Sequence, residues 1–198
     1  MNQKSNLELF RLLVGNDMAR HLASLPLAEV FGFSKPRQQQ LCEEMAPYVS
    51  HPSLAAAKEL LARCFREQLS TCATSLTSPT AVKSFLCTQI GHLEYESFWC
   101  LWMDAQNRLV MAEEAFRGSV TQTSVYPREI VKRALALNAV GVIFAHNHPS
   151  GVLEPSSADQ AITSQLKSAL ALVDVRTLDH FIVGGNNAVS FSEKGLMW

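Results

Sequence analysis

The feature that most constrains the fold of this chain is a seven-residue apolar run that leads into two histidines. Residues 139–145 read AVGVIFA, and His146 and His148 follow at once. A short, unbroken apolar run of this length predicts a buried strand. A strand buried in this way needs other elements packed over its sheet, which favours a layered fold.

The segments around this strand alternate between helical and extended patterns. Apolar spacing and turn residues predict helices over 81–90, 127–138 and 156–172. They also predict strands over 96–104, from 109 onward, and over 181–183 and 188–191. Pro79 would begin the first helix, with Ser78 as its N-cap. We therefore predict an α/β fold in which helices flank a mixed β-sheet.

The first 72 residues carry helical patterns, with apolar residues at helical spacing over 7–13 and 54–69. The Ser- and Thr-rich segment 73–79 ends in proline and predicts a linker. The sequence thus predicts a small helical region over 1–72 and an α/β domain over 80–198.

Composition argues against several classes of protein. The net charge is −1, which lacks the broad positive charge expected of a non-specific nucleic-acid binder. No apolar run approaches the roughly 20 residues that cross a bilayer, so no membrane partner is expected. The first ten residues lack a signal-peptide core, and the five cysteines show no C-x-x-C spacing. We therefore expect a cytoplasmic protein with reduced thiols.

The two histidines at the end of the buried strand are candidate metal ligands. Residues i and i+2 of an extended backbone point to the same side, so both imidazoles can reach one ion. A Pro-Ser-Gly turn follows over 149–151, and Asp159 lies in the first turn of the next predicted helix. Two histidines and one carboxylate leave a position open on zinc, as catalytic sites do. We predict one Zn²⁺ per chain, bound by His146, His148 and Asp159.

The same residues also permit a structural interpretation. Ser156 and Asp159 have the spacing of a capping pair that stabilises a helix start. His180 follows Asp179, and we expect this pair to hold strand ends together, with His180 not a fourth ligand. Two histidines, a turn and a helix-borne aspartate within one segment nevertheless favour metal ligands for His146, His148 and Asp159.

The segment from His146 to Asp159 is similar to the H-x-H-x₇-S-x-x-D signature of JAMM metalloproteases, the MPN or JAB domain. Its surroundings resemble the bacterial RadC family, whose traditional label is DNA repair. The matching motifs are VYPREIVKRA over 125–134, HNHPSG over 146–151, LDH over 178–180, and SF and KG over 190–191 and 194–195. The resemblance covers about 78–198. It implies a zinc-dependent peptidase or isopeptidase acting on a protein or peptide.

The resemblance also implies roles for further residues. JAMM enzymes use an upstream glutamate as general base, and in the RadC pattern it stands eight residues before an aspartate that ends the first core strand. Glu96 and Asp104 match that spacing, and Glu94, of the same strand parity, is the alternative. Ser156 would donate a hydrogen bond to the charge that develops on the carbonyl oxygen. Its helix-capping role competes for the same hydroxyl.

RadC-family proteins commonly carry a helix-hairpin-helix element, with a Gly-x-Gly turn, before the catalytic domain. Gly32-Phe33-Ser34 falls at that place and is followed by Lys35-Pro36-Arg37. Ser34 replaces the second glycine, whose backbone freedom allows close approach to a phosphate. The region therefore resembles a degenerate helix-hairpin-helix, and DNA is the less favoured partner.

Two other functions are alternatives to amide hydrolysis. The first is a DNA-associated repair or recombination accessory protein whose metal site is not catalytic, and salt-dependent binding to DNA would support it. The second is a zinc nucleoside deaminase, which would require H-x-E and P-C-x-x-C motifs. The chain has H-x-H and no C-x-x-C, which disfavours the deaminase.

Overall fold

The computed structural model describes residues 4–31, 51–71, 79–118 and 124–197. Contacts divide the chain into two units, Met1–Arg63 and Cys64–Trp198. The predicted linker 73–79 lies outside the described residues except for Pro79, and so does the predicted N-cap Ser78. The predicted hairpin turn at 32–34 and the basic residues at 35–37 also lie outside them.

The N-terminal unit is helical, as the sequence predicts. Helices α1 (Asn6–Val14), α2 (Asn16–Leu22) and α3 (Leu27–Val30) precede α4 (Pro52–Thr71), and the boundary between the units falls inside α4. Ser5 and Glu8 form a reciprocal capping box at the start of α1, which satisfies amides that a helix start leaves unpaired. The small core of this unit consists of Phe10, Ala19, Leu22, Val30 and Leu54.

The second unit is built on a five-stranded mixed sheet. Its strands are β1 (Ser97–Met103), β2 (Leu109–Arg117), β3 (Gly141–Asn147), β4 (Arg176–Gly184) and β5 (Asn187–Ser190). They lie in the order β2-β1-β3-β4-β5. Only β3 and β4 are parallel, and the other neighbours are antiparallel. The α/β fold with a mixed sheet, predicted from the sequence, is confirmed.

Helices cover both faces of this sheet. Helix α5 (Pro79–Ile90) packs on the face formed by Leu101, Ile143 and Phe181. Helices α6 (Pro127–Ala136) and α7 (Ser157–Ala171) pack on the opposite face, which includes Trp102 and Phe144. All seven residues of β3 are buried, because this strand has sheet neighbours on both sides and helices above and below. The unbroken apolar run is the sequence signal of that position.

The strand ends differ from the predicted ones. β3 was predicted to end at Ala145 but continues to Asn147, because His146 pairs with Phe98 of β1 and Asn147 with Val183 of β4. β4 was predicted over 181–183 and spans Arg176–Gly184. Polar residues in these extensions interrupt the apolar pattern, although their backbones belong to the sheet. Among the described residues, no helix is long and apolar enough to cross a membrane.

The end of α5 packs against the turn between β4 and β5 so closely that only glycine fits at position 91. A methyl group there would overlap the backbone oxygen of Gly185 and lie 2.6 Å from that of Cys87. Backbone atoms cannot move aside as side chains can. We expect Gly91→Ala to lower the free energy of unfolding by about 1–3 kcal/mol, as overpacked cores do, measured by urea denaturation.

Gly141→Ala is the matched control for this substitution. A methyl group at Gly141 would lie 3.3 Å from the end of the Leu178 side chain, which can rotate. The control should therefore lose less stability than Gly91→Ala, and equal losses for the two variants would contradict the argument.

Candidate metal centre

The structure brings His146 and His148 together at the end of β3. His146 is the sixth residue of the strand and only 3% exposed. His148 lies one residue beyond the strand, where its backbone amide donates to the Val183 carbonyl at 2.8 Å. This bond keeps His148 alongside β4. The two Nε2 atoms are 3.0 Å apart.

A tight turn then carries the chain from His148 toward α7. The amide of Gly151 donates to the His148 carbonyl at 2.9 Å, and Gly151 has a φ of 80°, a conformation that favours glycine. Gly184 at the end of β4 lies against this turn, where a methyl group would be 2.7 Å from the Gly151 oxygen. The strand end and the turn are thus fixed to each other.

Asp159 reaches both histidines from the first turn of α7. Its Oδ1 lies 3.2 Å from Nε2 of His146, and its Oδ2 lies 3.7 Å from Nε2 of His148. Donor atoms that share a tetrahedral zinc, at bonds of about 2.0–2.1 Å, lie roughly 3.3 Å from one another. The observed distances lie around that value, so these three side chains fit one zinc ion.

The capping interpretation of Ser156 and Asp159 also holds. The hydroxyl of Ser156 donates to Asp159 Oδ2 at 2.6 Å, and its backbone amide donates to the same oxygen at 2.8 Å. In return the Asp159 amide donates to the Ser156 hydroxyl at 3.1 Å. The capping box fixes the rotamer of Asp159 and leaves Oδ1 directed at His146. One carboxylate therefore caps the helix and faces the histidines.

The surroundings of Asp159 favour its ionised form. Burial opposes ionisation, but the hydrogen bond and charge of His146, together with the hydrogen bonds from Ser156, outweigh it. The pKa of the carboxyl is consequently held well below its usual value. A metal ligand must be deprotonated to bind, and Asp159 meets that condition at neutral pH.

Hydrogen bonds to the far ring nitrogens orient both imidazoles. Nδ1 of His148 lies 2.7 Å from the Val152 carbonyl oxygen. A carbonyl oxygen only accepts, so Nδ1 carries the proton and donates it. In the neutral imidazole the lone pair of His148 is then on Nε2, the atom that faces His146 and Asp159. Such a bond at the outer nitrogen is the usual way in which proteins orient a histidine ligand.

A series of buried hydrogen bonds orients the ring of His146 in the same way. Its Nδ1 lies 2.9 Å from Nε2 of His180, and Nδ1 of His180 lies 2.6 Å from the Thr163 hydroxyl. That hydroxyl donates its one proton to the Asp159 carbonyl, so Nδ1 of His180 must donate to it. Burial, followed by the charge of His146, holds the pKa of His180 well below its usual range.

A neutral His180 that donates from Nδ1 must accept at Nε2. Nδ1 of His146 therefore donates to His180, and in the neutral form that binds a metal the lone pair of His146 lies on Nε2, toward His148 and Asp159. The prediction for the pair Asp179 and His180 is only half right. Asp179 accepts hydrogen bonds from Ser190 and from the Ser192 amide and does hold strand ends. His180 instead supports His146, because adjacent residues of β4 point to opposite faces.

Glu96 completes the group of side chains around this point. It directly precedes β1, is half-buried, and has a carboxylate oxygen that lies with ring nitrogens of His146 and His148 within 4.8 Å of one another. Glu94 is exposed and, within the part of the chain that the structure describes, lies outside this group. Of the two glutamates left open by the sequence, the geometry favours Glu96.

Three residues contribute to this centre in ways that the sequence-based predictions missed. Thr163 and His180 support His146, and Asn147, between the two histidines, is 1% exposed and binds the segment that carries Glu96. Thr163 lies four residues after Asp159, on the same side of α7, which is the signal that the sequence offered. His180 and Asn147 have partners remote in the chain, and no local pattern predicts those.

Comparison with known proteins identifies the family. A family model described as the RadC-like JAB domain matches residues 76–196. The chain belongs to the RadC family. The resemblance seen in its motifs is thereby confirmed, and with it a fold of the metallohydrolase type that has possible metal-binding residues in place.

Relatives of this RadC-family chain are closely similar to it. It is 56% identical over 144 residues to a protein of Leptothrix cholodnii, a match that covers 73% of this chain and 64% of that protein. It is 50% identical over 182 residues to a protein of Janthinobacterium sp. (strain Marseille), covering 92% and 79%. Both bear the name UPF0758 protein. The chain thus spans less than two thirds of the length of the first of these relatives.

The donor set makes a prediction for metal content. Purified protein dialysed against zinc should hold about one ion per chain, and His148→Ala should lose it, because one of three ligands is removed. Elemental analysis after gel filtration measures this. His92→Ala, at an exposed histidine outside the group, is the control and should keep its metal. Full zinc content in His148→Ala would contradict the assignment.

The series of hydrogen bonds through His180 leads to a second prediction. His180→Leu removes the acceptor for Nδ1 of His146 and should weaken zinc affinity about 10–100-fold, as loss of an outer-nitrogen partner does. Competition with a chromophoric chelator measures the affinity. Phe144→Leu is the control, because its buried ring lies edge-on to His180 at 5.9 Å without bonding a ligand. Equal losses for the two variants would reduce the role of His180 to packing.

Proposed function

We propose that this chain is a zinc-dependent amide hydrolase, a peptidase or isopeptidase that acts on a protein or peptide. One observation supports this above all. Two imidazole nitrogens and a carboxylate lie within 4 Å of one another at the end of β3, and a second carboxylate, that of Glu96, stands beside them. Three ligands and one nearby acid or base are what metal-assisted hydrolysis requires.

His146, His148 and Asp159 would hold the ion in this proposal. Both Nε2 atoms face the ionised carboxylate of Asp159, and an ion bound there would displace any proton that these groups share. When bound, zinc would polarise a carbonyl group and lower the pKa of a water molecule toward about 7. With three protein ligands, one position remains open for substrate.

Glu96 would act as the general base. A carboxylate beside the reacting water can take its proton and pass it to the leaving amine, a contribution of about 10²–10⁴-fold in rate. Glu96 is half-buried and directed at the two histidines, which suits that role. Its neighbourhood also permits a different assignment, in which Glu96 is itself a ligand with His146 and His148.

Ser156 can donate to a substrate only if its hydroxyl leaves its present hydrogen bond. Its hydroxyl proton is donated to Asp159 Oδ2, so the hydroxyl must rotate before it can donate to the oxygen of a substrate. Its backbone amide also donates to Oδ2 and would keep Asp159 in position during that rotation. We retain Ser156 as a donor to the developing oxyanion on these terms.

Substitution of Glu96 is the most direct test of the proposal. Glu96→Gln should keep about one zinc per chain and lose amide hydrolysis by about 10²-fold or more, because the base is lost and the ligands are not. Turnover would be followed with a library of peptides and isopeptide-linked peptides. Glu94→Gln is the matched control and should behave as the native protein does.

Two outcomes would count against this assignment. Loss of zinc in Glu96→Gln would make Glu96 a ligand, and unchanged turnover would remove it from the mechanism. If the native protein holds zinc, cleaves no amide and binds DNA in a salt-dependent manner, the accessory-protein alternative would replace hydrolysis. A cytoplasmic location stays a prediction from the sequence.

A further inference from the structure

Asn147 stands between the two histidines in the chain and points away from them into the protein. Its side chain is almost fully buried, at 1% exposure. Its Oδ1 accepts from the Ser97 amide at 2.8 Å, and its Nδ2 donates to the Tyr95 carbonyl at 2.9 Å and to the Leu93 carbonyl at 3.3 Å. One side chain thus binds three backbone groups of a single remote segment.

These three bonds require an asparagine. The oxygen of the amide meets a backbone N–H and its nitrogen meets two carbonyls, so the orientation of the amide is fixed by its partners. Aspartate has the same shape, but it cannot donate and would face two carbonyl oxygens with a negative charge. Alanine would leave all three backbone groups without this partner in a buried or partly buried place.

The segment bound in this way carries Glu96. The backbone ladder between β1 and β3 ends at the pair Phe98 and His146, and beyond it the Asn147 side chain takes the place of the next backbone partner. Its contacts lie on both sides of Glu96, at the Tyr95 carbonyl and the Ser97 amide. The Glu96 carbonyl itself accepts from the Gly118 amide at 2.8 Å. The backbone of Glu96 is therefore held from several directions.

Neighbouring side chains support the outer side of the same segment. The Arg117 guanidinium lies over the Tyr95 ring at 4.4 Å and donates to Glu114 at 2.9 Å. Glu114 also accepts from the Ser97 hydroxyl at 2.8 Å. These contacts are at the edge of the sheet, on β2, whereas Asn147 is the partner that belongs to the ligand-bearing strand.

We propose that Asn147 is a positioning residue that sets Glu96 against the metal ligands, an inference that rests on the proposed role of Glu96. His146, Asn147 and His148 are consecutive, so one tripeptide supplies two ligands and the group that places the base. The ligands and the base are therefore both attached to the end of β3, and a movement of that end moves them together. Preorganisation of this kind keeps reacting groups at a fixed separation.

The test uses the full chain loaded with cobalt(II) alone, so it needs no substrate. The pH midpoint of the cobalt visible spectrum depends on charges beside the ion. Glu96→Gln removes such a charge and should move the midpoint by about one pH unit. Asn147→Ala should keep its cobalt and move the midpoint in the same direction. The double variant should match Glu96→Gln alone, because the two residues act through one group.

Hydrogen exchange provides a second readout. In Asn147→Ala the Ser97 amide should exchange faster, while the Leu101 amide, within the β1–β3 ladder, should stay protected. Ser190→Ala is the control, because it removes a buried hydroxyl bonded to Asp179 on the far side of β4. The control should leave both the cobalt midpoint and the Ser97 exchange unchanged.

The outcomes separate this inference from the proposed function. If Glu96→Gln moves the midpoint and Asn147→Ala does not, or if the two effects simply add, the positioning role is overturned and the role of Glu96 stands. Unchanged exchange at Ser97 also overturns it. If Glu96→Gln itself has no effect, the proposed base is overturned, and the positioning role falls with it for that separate reason.

Discussion

The structure of this centre depends on the requirement that buried polar groups find hydrogen-bond partners. β3 lies in the middle of the sheet and ends in His146 and Asn147, which are 3% and 1% exposed. Each meets that requirement through a different element. His146 bonds to β4 through His180, and Asn147 bonds to the segment before β1. The end of β3 is consequently the point at which several parts of the second unit are joined.

The same bonds determine which atoms of the centre can bind a metal ion. The far nitrogens of His146 and His148 are bonded to other groups, so both Nε2 atoms face inward, and Asp159 is held ionised beside them. Asp179, on the other face of the sheet, shows a contrasting case. Burial raises its pKa despite hydrogen bonds from Ser190 and two backbone amides, and its contacts hold strand ends. Two buried carboxylates thus differ in their roles because their neighbours differ.

Helix capping and metal ligation are compatible in this fold because they use different parts of one side chain. Asp159 Oδ2 accepts from Ser156, and Oδ1 lies toward His146. The cap restricts the rotamer of Asp159 before any ion arrives. A ligand restricted in this way loses less conformational entropy when it binds. The structural and the functional interpretation of the Ser156–Asp159 pair are therefore compatible.

The sequence by itself determined the features that depend on a few consecutive residues. The apolar run of β3, the two histidines after it, the turn and the capping pair lie within about twenty residues, and local backbone geometry governs them. Tertiary structure alone decided which glutamate joins the histidines, where the end of β3 lies, and what Asn147 and His180 bind. Those partners stand 17 to 54 residues away. Strand order and register bring these partners together, and the local sequence pattern predicts neither the order nor the register.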